Sequence, residues 1–261
     1  MAKIWFVGAG PGDPDLFTVR GRDLLEQAGA VLYAGSLVSP AHLKFTSPGC
    51  VSADSSSMTM EQMVAWLLEQ SKRCATVVRL QTGDPSLYGT LVEMVQPLDE
   101  AGVAVEVVPG VSSAFAAAAA AVESLTLPEV TQTVIFTRLG GRTPVPEKEQ
   151  LADLARHDCS ICIFLSITML ERVVESLLAG GKSPTTPILL VHKVSWVGEE
   201  KIIRGNLADI AEKCQQAGIK SQTMIIVGPT LNGRSGKNIV RSKLYDESFG
   251  HEFRNAKNIK K

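Results

Sequence analysis

The chain has 261 residues, 45% hydrophobic and 20% charged, with a formal net charge of −1. That length carries two modest domains with ample cores, and the composition is that of an ordinary globular protein. A near-neutral balance argues against nucleic acid and membrane surfaces as partners, since both demand a basic footprint. Met1-Ala2-Lys3 runs straight into a strand pattern at Ile4, so no signal peptide is expected. The longest apolar stretch, 103–122, is interrupted by Glu106, Pro109 and Gly110 and does not read as a membrane span. Five cysteines without framework spacing point to a reducing, cytoplasmic compartment. Cys159-x-x-Cys162 lies in a buried-strand pattern and lacks the two further ligands of a structural zinc site, so no metal is expected.

The first strand, 4–8, empties into Gly8-Ala9-Gly10-Pro11-Gly12-Asp13, and Asp13-Pro14 opens a helix over 16–27. This is not the dinucleotide fingerprint. The glycines run G-x-G-x-G, and the second strand, 30–34, ends Tyr33-Ala34-Gly35 with no carboxylate for a ribose. A helix at 60–69 leads to a third strand at 76–80, which ends in Gln81-Thr82-Gly83-Asp84-Pro85-Ser86-Leu87. There Asp84 is expected to cap a helix running over 87–100. A fourth strand, 104–108, ends in Pro109-Gly110-Val111-Ser112-Ser113, and the alanine-rich run 114–122 reads as a tightly packed helix. Strands alternating with helices imply a parallel sheet with right-handed crossovers.

Residues 123–131 read as a bridge to a second α/β unit, with strands at 133–137, 160–165, 188–194, 202–203 and 224–227. Helices are expected at 148–156, 169–178 and 207–216, and a hairpin over Val197-Gly198-Glu199-Glu200 makes this sheet mixed. The division is therefore 1–124, 125–233 and a polar, basic tail at 234–261. That tail begins after Asn232-Gly233 and carries Arg234, Lys237, Arg241, Lys243, Lys257, Lys260 and Lys261; it reads as a solvated or frayed end.

Three strands of one sheet thus end in glycine-containing turns, and open α/β sheets bind ligands beyond the carboxyl ends of their strands. Phosphate is a poor fit, because no Walker sequence is present and none of the three turns contains a lysine. Backbone, aspartate and serine beside apolar residues suit a nucleoside with a polar, phosphate-free tail.

The segments GAGPGDPDLFTVRGRDLL (8–25), RLQTGDPSLYG (79–89) and VVPGVSSAFAAAA (107–119) resemble the three characteristic segments of the tetrapyrrole methyltransferases that use S-adenosylmethionine. The likeness covers roughly residues 3–233. It implies two α/β domains with the cofactor in the cleft between them, and a homodimer. Within the family, three stretches resemble the branch acting on precorrin-4 or cobalt-precorrin-4: 32–38, 54–63 and 191–205, the last with Val197-Gly198 where a proline is expected. The implied reaction is methyl transfer to C11 in corrinoid (vitamin B12) biosynthesis. Carried over by motif position, the implied cofactor contacts are Pro11, then Thr82, Gly83, Asp84 and Leu87, then Ser112 and Ser113. Leu165, Val194, Thr223 and Met224 follow at strand ends of the second domain.

The methyl donor is already activated, so the protein need only align donor and acceptor, and no catalytic residue is assigned. His192 reads as structural. Arg138, Arg142, Lys193 and Arg204 are candidate partners for the carboxylates of a tetrapyrrole, equally readable as surface charge. Met58, Met60 and Met63 offer either an apolar surface to a macrocycle or a helix core stripe. Rival readings keep the fold with another acceptor (uroporphyrinogen III, a protein or ribosomal RNA) or make the site a non-catalytic sensor.

Overall fold

The computed structural model describes residues 2–231, 233 and 241–255. Its first sheet holds β1 (Lys3–Gly8), β2 (Ala30–Tyr33), β3 (Val51–Asp54), β4 (Thr76–Gln81) and β5 (Ala104–Val108), in the order β3-β2-β4-β1-β5. Every pairing is parallel. The inner strands bury Ile4, Phe6, Leu32, Val77 and Leu80 completely, the continuous apolar signature of a sheet covered on both faces. The short edge strand β3 has no counterpart in the sequence reading. Its Val-Ser-Ala-Asp is mostly exposed and lacks an apolar run, so it forms by pairing with β2 rather than by burial.

Helix starts depart from expectation for local reasons. Asp13 Oδ1 accepts the Asp15 N–H at 2.8 Å and a 3-10 turn forms over Pro14–Leu16, so α1 (Val19–Gln27) starts only after Thr18 caps it. A capping box of Thr59 and Gln62 opens α2 (Met60–Ser71), and Met58, Met60 and Met63 pack partly buried against the core beneath it. The third helix does not begin at Leu87. Tyr88 and Thr90 adopt left-handed φ of 57° and 51°, and α3 (Leu91–Glu100) follows them. In α4 (Ser113–Ala121) the small side chains of Ala114, Ala117 and Ala118 are buried.

The second sheet holds β6 (Val134–Arg138), β7 (Ser160–Phe164), β8 (Pro187–His192), β9 (Lys201–Asn206) and β10 (Thr223–Val227), in the order β6-β7-β10-β8-β9. It is mixed: β6 runs parallel to β7, and β10 antiparallel to β7 and β8. Helices α5 (Leu151–Leu154), α6 (Leu170–Ala179) and α7 (Ile210–Gln216) flank it, with Ile161, Ile163, Val173, Leu177, Leu190, Ile210 and Ile225 at the core. Helix α5 is much shorter than the expected 148–156, because Pro146 leads into a 3-10 turn over Glu147–Glu149.

The chain forms two compact units, Met1–Ala117 with Lys193–Lys201, and Ala118–His192 with the described residues from Ile202 onward. The connection between β8 and β9 therefore belongs to the first unit, which a linear division at 124 does not convey. Of the basic tail, Arg234, Lys237, Lys257, Lys260 and Lys261 lie outside the described residues, while Lys243 pairs with Glu129 at 3.2 Å. Among the described residues no helix is long and apolar enough to cross a membrane.

Candidate active site

Strands β4, β1 and β5 are neighbours, so the turns that follow them share one edge. They mesh through their backbones. Gly10 N–H donates to the Gly83 carbonyl at 3.2 Å and Gly83 N–H to the Gly10 carbonyl at 2.8 Å, while Ala9 N–H donates to Gln81 O at 2.7 Å. A Cβ on Gly8 would stand 2.6 Å from Gly110 Cα and from Gly83 O. Gly8 and Gly110 are thus required for turn-on-turn packing rather than for approach of a ligand. A Cβ on Gly83 would make only ordinary contact, with Ser112 Cα nearest at 3.8 Å, although Gly83 holds a left-handed φ of 60°.

Asp84 does not cap a helix. Its Oδ1 accepts the Ser86 N–H at 2.9 Å and the Ser86 hydroxyl, and its Oδ2 accepts the Gly110 N–H at 3.0 Å, joining the second turn to the third. Burial opposes its ionisation, but the Ser86 hydroxyl and the two N–H donors prevail and hold the carboxyl below its ordinary range.

The first turn is held from two further directions. From a 3-10 turn over Pro40–Phe45, the fully buried His42 sets Nε2 2.8 Å from the Ala9 carbonyl and Nδ1 3.0 Å from Ser39 O. From the β8–β9 connection, Ser195 and Trp196 bond to the backbone at Asp13 and Pro11. No sequence signal marked His42; Ser195 and Trp196 entered only through a resemblance.

The structure places Pro11, Thr82, Gly83, Asp84, Leu87, Ser112 and Ser113 in or beside these three turns. Ser112 is buried, its Oγ accepting the Ala114 N–H at 3.3 Å at the start of α4. Gln81 Nε2 donates to Gly89 O at 2.5 Å and steadies the left-handed pair Tyr88 and Thr90. Val194 is buried between two more left-handed residues, Lys193 (φ 44°) and Ser195 (φ 64°). In the second unit, Leu165 follows β7 with φ 53° and is 63% exposed. Thr223 and Met224 are buried in β10, just after left-handed Gln222 (φ 44°). Because β10 runs antiparallel to β7 and β8, Leu165 and Thr223 stand at the same edge of their sheet. Backbone strain of this kind concentrates at functional sites.

Three of the four candidate cations are already engaged. Lys193 pairs with Glu199 and lies 5.1 Å over the Trp196 ring. Arg204 pairs with Glu123 and donates to Ala121 O at 2.6 Å, and Arg138 donates to Thr143 O at 3.1 Å and Pro144 O at 2.6 Å. Arg142 is exposed. His192 is structural, its Nδ1 2.9 Å from Ser221 O. Among the described residues no group of three or more His, Cys, Asp or Glu is placed to hold a metal. Burial pushes the Cys162 thiol up to about 12, which leaves it an inert strand filler.

A sequence profile described as Tetrapyrrole (Corrin/Porphyrin) Methylases matches residues 3–211. The chain belongs to the tetrapyrrole methylases. The methylase is 46% identical, over 97% of its own length and 96% of the relative's, to a protein of Methanocaldococcus jannaschii named cobalt-precorrin-4 C(11)-methyltransferase. It superposes on a crystal structure titled as a cobalamin biosynthetic cobalt-precorrin-4 methyltransferase with a TM-score of 0.84 at 47% identity, covering 87% of this chain and 94% of that one. A uroporphyrin-III C-methyltransferase from Thermus thermophilus, solved with S-adenosylhomocysteine, is 28% identical with a TM-score of 0.73, covering 87% and 92%.

Proposed function

We propose that the methylase transfers a methyl group from S-adenosylmethionine to C11 of cobalt-precorrin-4 or precorrin-4. The observation that carries this reading is the meshed platform of three turns, Gly10 on Gly83 and Asp84 on Gly110, in a chain nearly half identical to proteins named for that reaction. S-adenosylmethionine supplies, when bound, a methyl group already activated on a sulfonium.

The residues present fit that group. Gly83 is less crowded than Gly8 and Gly110: an added Cβ would meet Ser112 Cα at an ordinary 3.8 Å. The candidate turns contain an ionised carboxylate and hydroxyls and no lysine or arginine. Lys193, the cation next to Val194, is neutralised by Glu199. We assign Pro11, Thr82, Gly83, Asp84, Leu87, Ser112 and Ser113 to cofactor binding in the first unit, with Val194, and Leu165, Thr223 and Met224 from the second. These residues bind and orient; holding two reactants in attack geometry contributes on the order of 7–11 kcal/mol.

We further read the enzyme as a cytoplasmic homodimer whose two domains divide near 124, with Lys193–Lys201 joining the first. Five free thiols support a reducing compartment, and light scattering of the purified protein tests the dimer. The activity test supplies S-adenosylmethionine with precorrin-4 or its cobalt form. A product methylated once at C11 is expected; cofactor binding without methyl transfer to either would overturn the assignment.

A further inference from the structure

The stretch Lys193–Lys201 leaves the second sheet after β8 and folds with the first unit. There it grips both peptide groups around Gly12. The Trp196 indole N–H donates to the Pro11 carbonyl at 3.2 Å, and the Asp13 N–H donates to Ser195 Oγ at 2.9 Å. Between these bonds the indole lies flush on the bare glycine, since a Cβ on Gly12 would overlap the Trp196 ring. The loop is braced from within. Glu200 accepts the Ser195 N–H at 2.6 Å, and Lys193 pairs with Glu199 beneath the same indole. Lys193 and Ser195 are both left-handed, a conformation that non-glycine residues keep only where their surroundings over-determine it.

We infer that Trp196 and Ser195 are positioning residues for the cofactor site. They hold the peptide planes at 11–13 in the orientation through which the first turn meets S-adenosylmethionine, and so set cofactor affinity without touching the reacting atoms. This rests on the function proposed above. A residue needed only for folding would change stability and leave the Michaelis constants alone; a residue orienting the first turn changes the constant for one substrate and spares the other.

The test uses the full chain, with S-adenosylhomocysteine binding by calorimetry, steady-state kinetics on cobalt-precorrin-4, and thermal midpoints. Trp196→Phe keeps the packing and deletes the N–H. Its dissociation constant for S-adenosylhomocysteine and its KM for S-adenosylmethionine should rise about 3–10-fold, the worth of one neutral hydrogen bond. Its kcat, its KM for the tetrapyrrole and its thermal midpoint should stay near wild type. Ser195→Ala should behave alike. Gly12→Ala drives a methyl into the indole and should weaken binding at least as much, yet add nothing in a Trp196→Ala background, where the obstructing ring is gone. Unchanged cofactor constants in Trp196→Phe and Ser195→Ala, or additive penalties from Gly12→Ala and Trp196→Ala, would overturn the inference. Wild-type protein that binds no S-adenosylhomocysteine would overturn the proposed function itself.

Discussion

The Asp84 carboxylate accepts the Gly110 N–H at 3.0 Å, so a side chain of the second turn closes a backbone donor of the third. Its other oxygen is spent on Ser86. Asp84→Ala removes both links and leaves the Gly110 N–H without its acceptor. Hydrogen bonds to a charged group contribute about 1.5–3 kcal/mol, so S-adenosylhomocysteine affinity should fall by roughly tenfold or more while unfolding stays cooperative. Calorimetric titration with parallel denaturant melts checks both halves.

Gly110→Ala tests the mesh itself. The new methyl would overlap Gly83 O and stand 2.8 Å from Gly8 Cα, and neither backbone atom yields as a side-chain tip would. Overpacking of this kind costs about 1–3 kcal/mol or more, with loss of cofactor binding. Gly140→Ala is the control: its Cβ meets only Val145, Cγ2 at 3.4 Å and N at 3.7 Å, so its urea midpoint should match wild type.

Stability should fall in acid. Asp54 is held below its ordinary range by the Ser56 and Gly35 N–H groups, Asp209 by Lys213, and Glu106 by Lys3 and Arg20; Asp84 joins them. The unfolded chain takes up protons near pH 4, before these folded carboxylates do. Stability is therefore complete above that range and is lost as pH falls through the folded values. Thermal midpoints should be level from about pH 5 to 8 and drop below about pH 4, with a shallower drop in Asp84→Asn.

Arg204 and Lys193 are predicted to matter to the fold rather than to a substrate's carboxylates. The Glu123 side chain is 5% exposed and pairs with Arg204, so Arg204→Ala strands a buried charge. With Arg204 itself partly exposed, a loss of about 1–3 kcal/mol is expected. The KM for the tetrapyrrole should be unaltered in Arg204→Ala and in Lys193→Ala; a severalfold rise would return these residues to the substrate site.

How far the sequence alone reached depends on the kind of signal. Apolar runs announced β1, β2 and β4 because inner parallel strands are buried on both faces. Strand β5 was legible from its β-branched run although it lies at an edge and is mostly exposed or half-buried, whereas β3 carries no such run and owes its place to a neighbour. The three turns were legible from their glycines, but not the reason for them: Gly8 and Gly110 answer to each other across about a hundred residues. Asp84 and Pro85 read locally as a helix start, and Tyr88 and Thr90 override that reading with left-handed backbone. Lys193, Arg138 and Arg204 looked available because their partners Glu199, Thr143 and Glu123 are not evident from charge pattern. His42 gave no hint of the Ala9 carbonyl it meets.

The loop Lys193–Lys201 has a practical corollary for dissecting this molecule. A recombinant fragment ending before it would contain every glycine motif and still be born without the indole and hydroxyl that clasp the first of them. Such a half-enzyme should be a poor nucleoside receptor even if it folds. A graft of the missing nonapeptide, tethered so that its tryptophan finds Pro11, is the repair to attempt.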